Sequence, residues 1–438
     1  MSNVVCNGTG NFSDANAGMG KTVTSSDLAL SGSVSANYVL STTTATATAT
    51  INKVNQTITW ADPASITYGT VLGATQLNAA AVGVAGGTGP GGLTYTPPAG
   101  ILLNAGAGQA LQVDAAATAN YNAASKIVHI NISKATPTVN WSNPADIVYG
   151  TVLSGTQLNA TFTWVVSASA VTVGGTATYT PAAGTLLGAG PGQSLSLNFA
   201  PVDTTNYNAA SATVHINVQK ATPLVAWSNP ADIAYGTALS GTQLNAAFTW
   251  VVNGGTVMVS GTPTYTPTAG TILNPGANQI LTVNFSPADT ANYTNAGPKT
   301  VAINVGFGIC SSSVGVGGVI LPPINSDGSS VYSRKGGSTI PVKFRVCNAS
   351  GGSISNPAVV FAGTGGSITM LSAVRGTING VNEADGTDIP DVAFRWDASG
   401  QQWIFNMATS NLTAGSTDAF RINLAYAPAS ITFIVGVK

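Results

Sequence analysis

The feature that most constrains the fold is a segment of about 85 residues that occurs three times along the chain. The copies begin at residues 57, 138 and 224 with TITWADPASITYGTVLGATQLNA, TVNWSNPADIVYGTVLSGTQLNA and LVAWSNPADIAYGTALSGTQLNA. Their tryptophans, Trp60, Trp141 and Trp227, are 81 and then 86 residues apart. Each copy continues through TYTP to an Asn–Tyr pair. A repeat of this length predicts a series of small modules, each with its own core.

Within each repeat the residues indicate β-strands. The segment VHINV at 214–218 alternates apolar and polar residues with a period of two, and Gly, Pro and Asn separate similar short runs. No segment sustains an apolar period of 3.6 residues, and about seven strands in 85 residues suit an immunoglobulin-like sandwich. The linkers SKATP and QKATP are too short for free tumbling. We therefore predict an all-β chain of tandem immunoglobulin-like β-sandwich domains in an elongated array.

The repeat boundaries divide the chain into five modules. The predicted domains are residues 1–52, a partial repeat; 53–133, 134–219 and 220–305, repeats 1 to 3; and 306–438, a C-terminal unit. The repeat tryptophans should fill the core near one end of each sandwich. We also expect a tyrosine corner in every repeat, in which the side chain of Tyr121, Tyr207 or Tyr293 hydrogen-bonds to nearby backbone.

Composition excludes several classes of partner. Only 7% of the residues are charged and the net charge is −1, so the sequence predicts no binding to nucleic acid. Membrane insertion is not expected either, because no apolar run reaches the roughly 18 residues that a spanning helix needs. The first residues, MSNVVCNGTGNFSDANAG, do not resemble a signal peptide. Either an export signal lies upstream, with this chain being a fragment of a longer protein, or the chain is cytoplasmic; composition favours the first.

The repeats resemble the MBG-type (YGX) and bacterial Ig-like repeats of large secreted or surface proteins. The matching motifs are Tyr68-Gly69-Thr70, Tyr149-Gly150-Thr151 and Tyr235-Gly236-Thr237. Residues 8–52 resemble the second half of a YDG-type repeat. The C-terminal unit, with Pro341-Val342-Lys343-Phe344, resembles the PxKF-type domain. These resemblances imply immunoglobulin-like sandwiches located outside the cell or on a bacterial cell surface.

Cysteine usage agrees with such a location. Cys310 and Cys347 both lie in the C-terminal unit, and we predict that they form a disulfide; two buried free thiols are the alternative. Cys6 is left without a partner. Three dispersed cysteines and two distant histidines do not make the four-ligand set of a zinc site.

No residue has the pattern of a catalytic group. The two histidines of the chain, His129 and His215, occupy equivalent positions in SKIVHINI and SATVHINV, on the polar face of the strand. Ala302 replaces them in the third repeat. The carboxylates of Asp203 and Asp289 have no counterpart in repeat 1, where the aligned residue is alanine. The sequence therefore predicts no catalytic residues and no enzyme.

Two groups of residues are candidates for ligand binding. The segment NEADGTDIPD contains Glu383, Asp385, Asp388 and Asp391, and several oxygen ligands in a short loop are typical of calcium sites. A solvated acidic loop is the alternative, and no other cofactor is indicated. Trp164 and Trp250, in the two copies of FTWVV, would stack on sugars if their strands were exposed. Packing in a core or against a neighbouring domain is the alternative for both.

These observations predict a non-enzymatic structural and adhesive stalk of a bacterial cell-surface or secreted protein. The alternative is a carbohydrate- or matrix-binding accessory region of a larger secreted enzyme. The expected partner is an extracellular ligand, either a glycan or a matrix component. We also expect self-association through the incomplete N-terminal domain, because an unfinished sandwich leaves a sheet edge open.

Overall fold

The computed structural model describes residues 3–335, 338–361, 366–376, 381–384, 386 and 390–438. Regular structure in these residues consists of strands, apart from one helix of four residues, α1 (Pro357–Val360), and three short 3₁₀ turns. The turns are Ser35–Asn37, Thr409–Asn411 and Ala427–Ala429. The predicted all-β fold is confirmed. No helix in the described part of the chain is long and apolar enough to cross a membrane.

The N-terminal module consists of two small sheets, and little of the chain packs over them. Its strands are β1 (Val5–Asn7), β2 (Asn11–Phe12), β3 (Gly18–Ser25), β4 (Ala29–Ser31) and β5 (Ala45–Ile51). β1 pairs with β4, and the second sheet has the order β2-β3-β5. Residues 3–55 contain no buried side chain. This segment therefore has almost no core of its own.

Repeat 1 forms a four-stranded sheet with smaller sheets beside it. Its strands are β6 (Val54–Asn55), β7 (Thr57–Thr59), β8 (Ile66–Thr67), β9 (Ala80–Val82), β10 (Leu93–Thr96), β11 (Gly106–Ala115), β12 (Tyr121–Asn122) and β13 (Ala124–Ser133). The main sheet has the order β10-β11-β13-β8, in which the two-residue strand β8 runs parallel to the end of β13. β7 pairs with β9, and β6 pairs with β12.

Repeats 2 and 3 are seven-stranded sandwiches of the predicted immunoglobulin-like type. The strands of repeat 2 are β14 (Thr138–Asn140), β15 (Ile147–Val148), β16 (Thr161–Val166), β17 (Ser169–Thr172), β18 (Gly175–Thr180), β19 (Gly190–Pro201) and β20 (Ala210–Gln219). Those of repeat 3 are β21 (Leu224–Ala226), β22 (Ile233–Ala234), β23 (Ala247–Val252), β24 (Gly255–Met258), β25 (Gly261–Thr266), β26 (Gly276–Pro287) and β27 (Ala296–Gly306). The sheet orders are β14-β16-β17 and β15-β20-β19-β18, then β21-β23-β24 and β22-β27-β26-β25. Aromatic rings join the two sheets, since Phe162 stacks on Phe199 and Phe248 on Phe285.

The C-terminal unit is a sandwich of two four-stranded sheets. Its strands are β28 (Ile320–Leu321), β29 (Val331–Tyr332), β30 (Thr339–Phe344), β31 (Ser367–Arg375), β32 (Arg395–Asp397), β33 (Gln402–Ala408), β34 (Ser416–Asn423) and β35 (Ile431–Val437). The orders are β28-β30-β33-β32 and β29-β35-β34-β31. The core between them is rich in aromatic rings, including Phe344, Phe361 and Trp403. This unit buries more apolar side chains than any one repeat.

The first tryptophan of each repeat closes a buried turn. The Trp60 indole donates a hydrogen bond from Nε1 to the Gln76 carbonyl at 3.1 Å, and Gln76 accepts the Gly73 N–H through Oε1. Repeats 2 and 3 repeat this arrangement with Trp141 and Trp227. Burial of the indole is complete in repeats 1 and 3 and partial in repeat 2. The tryptophan and the motif TQLNA, which all three repeats share, thus specify one folded element.

The tyrosine-corner prediction is wrong for all three repeats, because among the described residues none of the three hydroxyls is found bonded to backbone close to it in sequence. The Tyr121 hydroxyl accepts a hydrogen bond from the Val84 N–H at 3.1 Å, which is backbone 37 residues away and not nearby. In the described part of the chain, no hydrogen bond from the hydroxyl of Tyr207 or Tyr293 is found. Each of these rings instead packs edge-on against a tyrosine of the preceding repeat, as described below.

The chain divides into two compact units, and the division passes through repeat 2. One unit contains residues 1–145, 153–185 and 192–216, and the other contains 146–152, 186–191 and 217–438. The end of repeat 2 that carries Tyr149–Gly150 therefore groups with repeat 3.

Candidate functional site: the junctions between modules

Both histidines are exposed, and the hydrogen bond found at each in the described part of the chain comes from the backbone and not from the imidazole. The backbone N–H of His129 donates to Asp62 Oδ1 at 2.9 Å, and that of His215 donates to Asn143 Oδ1 at the same distance. In repeat 3 the Ala302 N–H makes the equivalent bond to Asn229. The repeat needs a backbone donor at this position, which any residue except proline supplies. This explains why alanine can replace histidine.

The acidic loop is only partly described. Asp385 and Asp388 lie outside the described residues. Glu383 Oε1 accepts hydrogen bonds from Asn325 Nδ2 at 2.9 Å and from Ser330 Oγ. Asp391 Oδ2 accepts the Asn406 N–H at 2.7 Å and lies 3.4 Å from Arg395 Nε. No group of three or more metal-ligating side chains is found among the described residues, and the calcium site remains a prediction.

The predicted disulfide is present. Cys310 and Cys347 are bonded, with their Cα atoms 5.1 Å apart, and Cys347 is fully buried. The bridge ties the start of the C-terminal unit to the end of β30. Cys6, on β1, is a free and exposed thiol.

Trp164 and Trp250, the candidates for sugar stacking, both lie in contacts between repeats. The Trp164 Nε1 donates to the Tyr68 carbonyl of repeat 1 at 2.8 Å, and Trp250 Nε1 donates to the Tyr149 carbonyl of repeat 2 at 2.7 Å. Both indoles are half-buried. The structure therefore places them as predicted by the alternative interpretation, contact with a neighbouring domain.

A glycine makes this close approach feasible. Gly69 follows Tyr68 and has φ +106°, in the left-handed region that side chains disfavour. A Cβ atom there would lie 2.3 Å from the Val165 carbonyl oxygen and 2.9 Å from Trp164 Nε1. The Gly69 carbonyl also accepts the Ser167 N–H at 2.8 Å. Two donors from repeat 2 thus bond consecutive carbonyls of repeat 1.

The next junction repeats these contacts almost atom for atom. Gly150 has φ +105°, and its carbonyl accepts the Asn253 N–H at 2.8 Å. A Cβ atom on Gly150 would again lie 2.3 Å from a carbonyl oxygen, that of Val251. The carbonyls of the YGT motif therefore accept hydrogen bonds from the hairpin of the following repeat that contains FTWVV.

The junction between repeat 3 and the C-terminal unit uses the same acceptor with a different donor. The Tyr235 carbonyl accepts the backbone N–H of Ala349 at 2.7 Å. Gly236 keeps a positive φ of +95°, but the nearest atom to a Cβ there would be Asn348 Cβ at 3.4 Å. A tyrosine carbonyl thus accepts a hydrogen bond at three successive junctions, although the C-terminal unit has no repeat-type hairpin.

At both junctions between repeats, an asparagine of the following repeat caps the preceding one. Asn206 Oδ1 accepts the Ala105 N–H of repeat 1 at 2.8 Å, and Asn292 Oδ1 accepts the Ala189 N–H of repeat 2 at 2.8 Å. Asp203 orients the Asn206 amide by accepting its Nδ2–H at 2.8 Å. Asp289 does the same in repeat 3, and its hydrogen bond to the Asn292 side chain is the main reason why the Asp289 pKa is lowered.

Tyrosine rings fill the space between the cap and the indole. Tyr68 packs edge-on against Tyr207 with ring centroids 5.3 Å apart, and Tyr149 packs in the same way against Tyr293. Burial raises the pKa of Tyr207 and of Tyr293, and the neighbouring tyrosine adds to each rise. The neutral phenol is therefore favoured in both junctions.

The N-terminal junction has the cap, but no contact between aromatic rings across it is found among residues 3–335. Asn120 Oδ1 accepts the Ala17 N–H at 2.7 Å, and Asn120 Nδ2 donates to Asn16 Oδ1 at 2.9 Å. Gly83 stands at the repeat 1 position that aligns with Trp164. Sequence reasoning missed the junctions as a repeated site, although YGT and NY in all three repeats were the signal.

A protein-family model described as "YDG domain" matches residues 2–47. This match confirms the YDG-type resemblance of the N-terminal module. No curated protein matches the chain.

Several solved structures resemble the chain weakly. "Sidekick-1 immunoglobulin domains 1-5" is 9% identical, with 96% of this chain and 86% of that chain covered and a TM-score of 0.16. A fragment of three titin immunoglobulin domains is 7% identical, covering 69% and 98%, with a TM-score of 0.22. Domains 1–6 of the surface layer protein SbsC are 10% identical, covering 78% and 46%, with a TM-score of 0.16. At such TM-scores none of these likenesses carries an argument about activity or partners. The first module of the chain is similar to a YDG domain. Tandem sandwiches of immunoglobulin-like type follow this module.

Proposed function

We propose that this chain is a non-enzymatic structural and adhesive stalk of a secreted or surface protein of bacterial type. Its repeats are of MBG type and its C-terminal unit is of PxKF type. The observation that carries this proposal is the tyrosine carbonyl, of Tyr68, Tyr149 and Tyr235, that accepts a hydrogen bond from the following module at each of three junctions. A protein whose function depends on stacking modules needs one contact that can be repeated.

The chemistry of the junctions supports a structural role. Each of the two junctions between repeats combines a tyrosine pair, in which one ring is buried and the other half-buried, with hydrogen bonds to backbone carbonyls. No ion pair between Lys or Arg and Asp or Glu is found there in the described residues. Contacts of this kind are screened little by salt. Only 7% of the residues in the chain are charged, which also favours contacts that are insensitive to salt. A stalk outside the cell would keep its junctions over a wide range of ionic strength.

The disulfide supports a location outside the cytoplasm. Disulfides persist in oxidising compartments and are rare in the cytosol. The Cys310–Cys347 bridge closes a loop with a sequence separation of 37, which stabilises a fold by roughly 3–4 kcal/mol in the chain-entropy model. The adhesive part of the proposal requires an extracellular ligand, either a glycan or a matrix component.

Small-angle X-ray scattering of the full chain tests the proposal. A stalk of four complete sandwiches, each roughly 30–40 Å long from strand rise, would have a maximum dimension of about 150 Å. The double variant Trp164→Ala/Trp250→Ala removes both indole contacts, and we expect a broader distribution of interatomic distances. The matched control is Val165→Ala/Val251→Ala, because these valines are neighbours in the same strands and are 56% and 48% exposed.

Two results would contradict the stalk. One is a compact particle with about half the expected dimension. The other is glycan-array binding that Trp164→Ala or Trp250→Ala abolishes while the scattering is unchanged, which would establish the carbohydrate-binding alternative instead.

A further inference from the structure

The junction between repeat 3 and the C-terminal unit, the third junction, is built differently from the two junctions between repeats. The asparagine cap needs the backbone N–H of Ala105 in repeat 1 and of Ala189 in repeat 2. In repeat 3 the aligned segment is LNPGANQ, which places Pro275 at this position, and proline has no backbone N–H to be capped. The indole donor is also replaced, because the Ala349 N–H bonds the Tyr235 carbonyl. Other contacts must therefore hold the C-terminal unit against repeat 3.

A loop of the C-terminal unit, residues 347–352, makes the contact with repeat 3. Its Ala349 N–H donates to the Tyr235 carbonyl at 2.7 Å. The loop is closed by its own backbone, since the Asn348 N–H donates to the Gly352 carbonyl at 2.9 Å. The position of this loop therefore decides whether Ala349 reaches repeat 3.

The linker that leaves repeat 3 passes directly beside this loop. β27 ends at Gly306, whose carbonyl accepts the Tyr235 N–H at 2.9 Å. The next contact is made by the Gly308 N–H, which donates to the Cys347 carbonyl at 2.7 Å. The Asn348 carbonyl oxygen approaches Gly308 so closely that a Cβ atom there would clash with it. Linker and loop are thus in contact through their backbones.

The disulfide makes these contacts into a closed ring. Cys310 belongs to the linker and Cys347 is the first residue of the loop, and the two are bonded with their Cα atoms 5.1 Å apart. From Tyr235 the ring passes through the hydrogen bond to Gly306 and along the linker to the S–S bond. It then follows the loop and returns to Tyr235 through the Ala349 N–H. The S–S bond therefore fixes the position of the loop relative to repeat 3.

The two sulfurs of the bond differ in their access to solvent. Cys347 is fully buried, whereas Cys310 is partly exposed and lines an open pocket of about 730 Å³. A pocket of this volume admits a small organic molecule. Thiol–disulfide exchange requires that a thiolate reach one sulfur of the bond. A thiolate that enters the pocket can therefore attack the sulfur of Cys310.

We propose that the Cys310–Cys347 disulfide is a redox-sensitive latch, which holds the loop 347–352 against repeat 3 and releases it when a dithiol reduces the bond. One thiolate of the dithiol bonds to Cys310 Sγ, the S–S bond breaks, and Cys347 Sγ takes its electron pair and then a proton from solvent. The second thiolate of the dithiol displaces Cys310, whose sulfur leaves with its electron pair and is protonated in turn. The chain gains two electrons and two protons, and the dithiol becomes a disulfide. This inference does not depend on the proposed function, since the ring of contacts is the same whatever the role of the chain.

Hydrogen exchange of the full chain tests the latch, with the exposed Cys6 changed to serine in every sample so that one redox couple remains. Reduction with dithiothreitol should speed exchange of the Ala349 amide at least about tenfold. The Asn253 amide, which donates across the junction between repeats 2 and 3, should change less than about twofold. The Cys310→Ser/Cys347→Ser variant should match the reduced chain and should not respond to dithiothreitol.

The dependence of exchange on urea separates a latch from a bond that only stabilises the C-terminal unit as a whole. Exchange through local opening of the loop depends little on urea, whereas exchange through unfolding of the whole unit accelerates with urea. The amides of β30, where Val342 and Phe344 are fully buried, report on unfolding of the whole unit. In the reduced chain we expect a weak urea dependence at Ala349 and a steep one in β30. Equal rates and slopes at the two places, or an Ala349 rate that reduction leaves unchanged, would overturn the proposal.

Discussion

The N-terminal module and repeat 2 share one three-stranded arrangement but differ in what covers it. In repeat 2 the second sheet lies over β19, and Leu195, Leu197 and Phe199 are at most 1% exposed. In the N-terminal module the equivalent strand β3 has no buried residue. Strand pairing therefore forms with or without a core in this chain. What the first half of a repeat adds is the covering sheet and the Tyr–Gly strand that joins neighbouring modules.

The largest expected effect on stability comes from truncating a side chain in the core of repeat 2. Leu195→Ala should destabilise repeat 2 by about 2–5 kcal/mol, because it leaves a cavity in a close-packed interior. The equivalent residue of the N-terminal module is Val23, which is half-buried, and Val23→Ala should cost less than about 1 kcal/mol. Hydrogen exchange of the amides of β19 and β3 in the full chain measures each effect. Equal costs would mean that the N-terminal module is covered in solution.

A smaller effect is expected from the junction glycines. Gly150→Ala should open the junction between repeats 2 and 3, because the new Cβ meets the Val251 carbonyl and displaces two hydrogen bonds, each contributing about 0.5–1.5 kcal/mol. Gly236→Ala carries the same backbone strain without that clash, so the difference isolates the contact. The exchange rates of the Asn253 and Ala349 amides, which donate across the two junctions, are the measurement. Similar acceleration in both variants would contradict this account of the glycine.

The smallest effect is an alkaline dependence of stability. The pKa of Tyr207 is raised in the folded chain, so folding favours the protonated phenol. The free energy of unfolding should be constant below the ordinary tyrosine pKa of about 10 and decrease as the pH rises through the folded value. We expect the free energy of unfolding of the Tyr207→Phe variant to decrease less with pH. The measurement is the urea concentration at the midpoint of unfolding, followed at β19 by hydrogen exchange. If the free energy of unfolding of the variant decreased just as steeply with pH, Tyr207 would not be the cause of the decrease.

Sequence patterns predicted much of the fold because they encode local chemistry. The period of two in VHINV, the buried turn of Trp60 and the cysteine pair all depend on contacts within one module. The junctions were harder to predict, because Trp164 bonds a carbonyl 96 residues away, a contact that no local pattern encodes. The same reason explains the wrong prediction for Tyr207, whose ring contacts the preceding module and not its own backbone.

Because repeats 1, 2 and 3 each end in the same acceptor, a tyrosine carbonyl followed by glycine, the repeats are interchangeable at this end. If repeat 2 were lost, the indole of Trp250 would find at Tyr68–Gly69 the same partner that it has at Tyr149–Gly150. Gain or loss of one whole repeat would therefore leave the indole contacts between the remaining repeats complete. The number of repeats can then change while the contacts at the junctions between repeats stay the same.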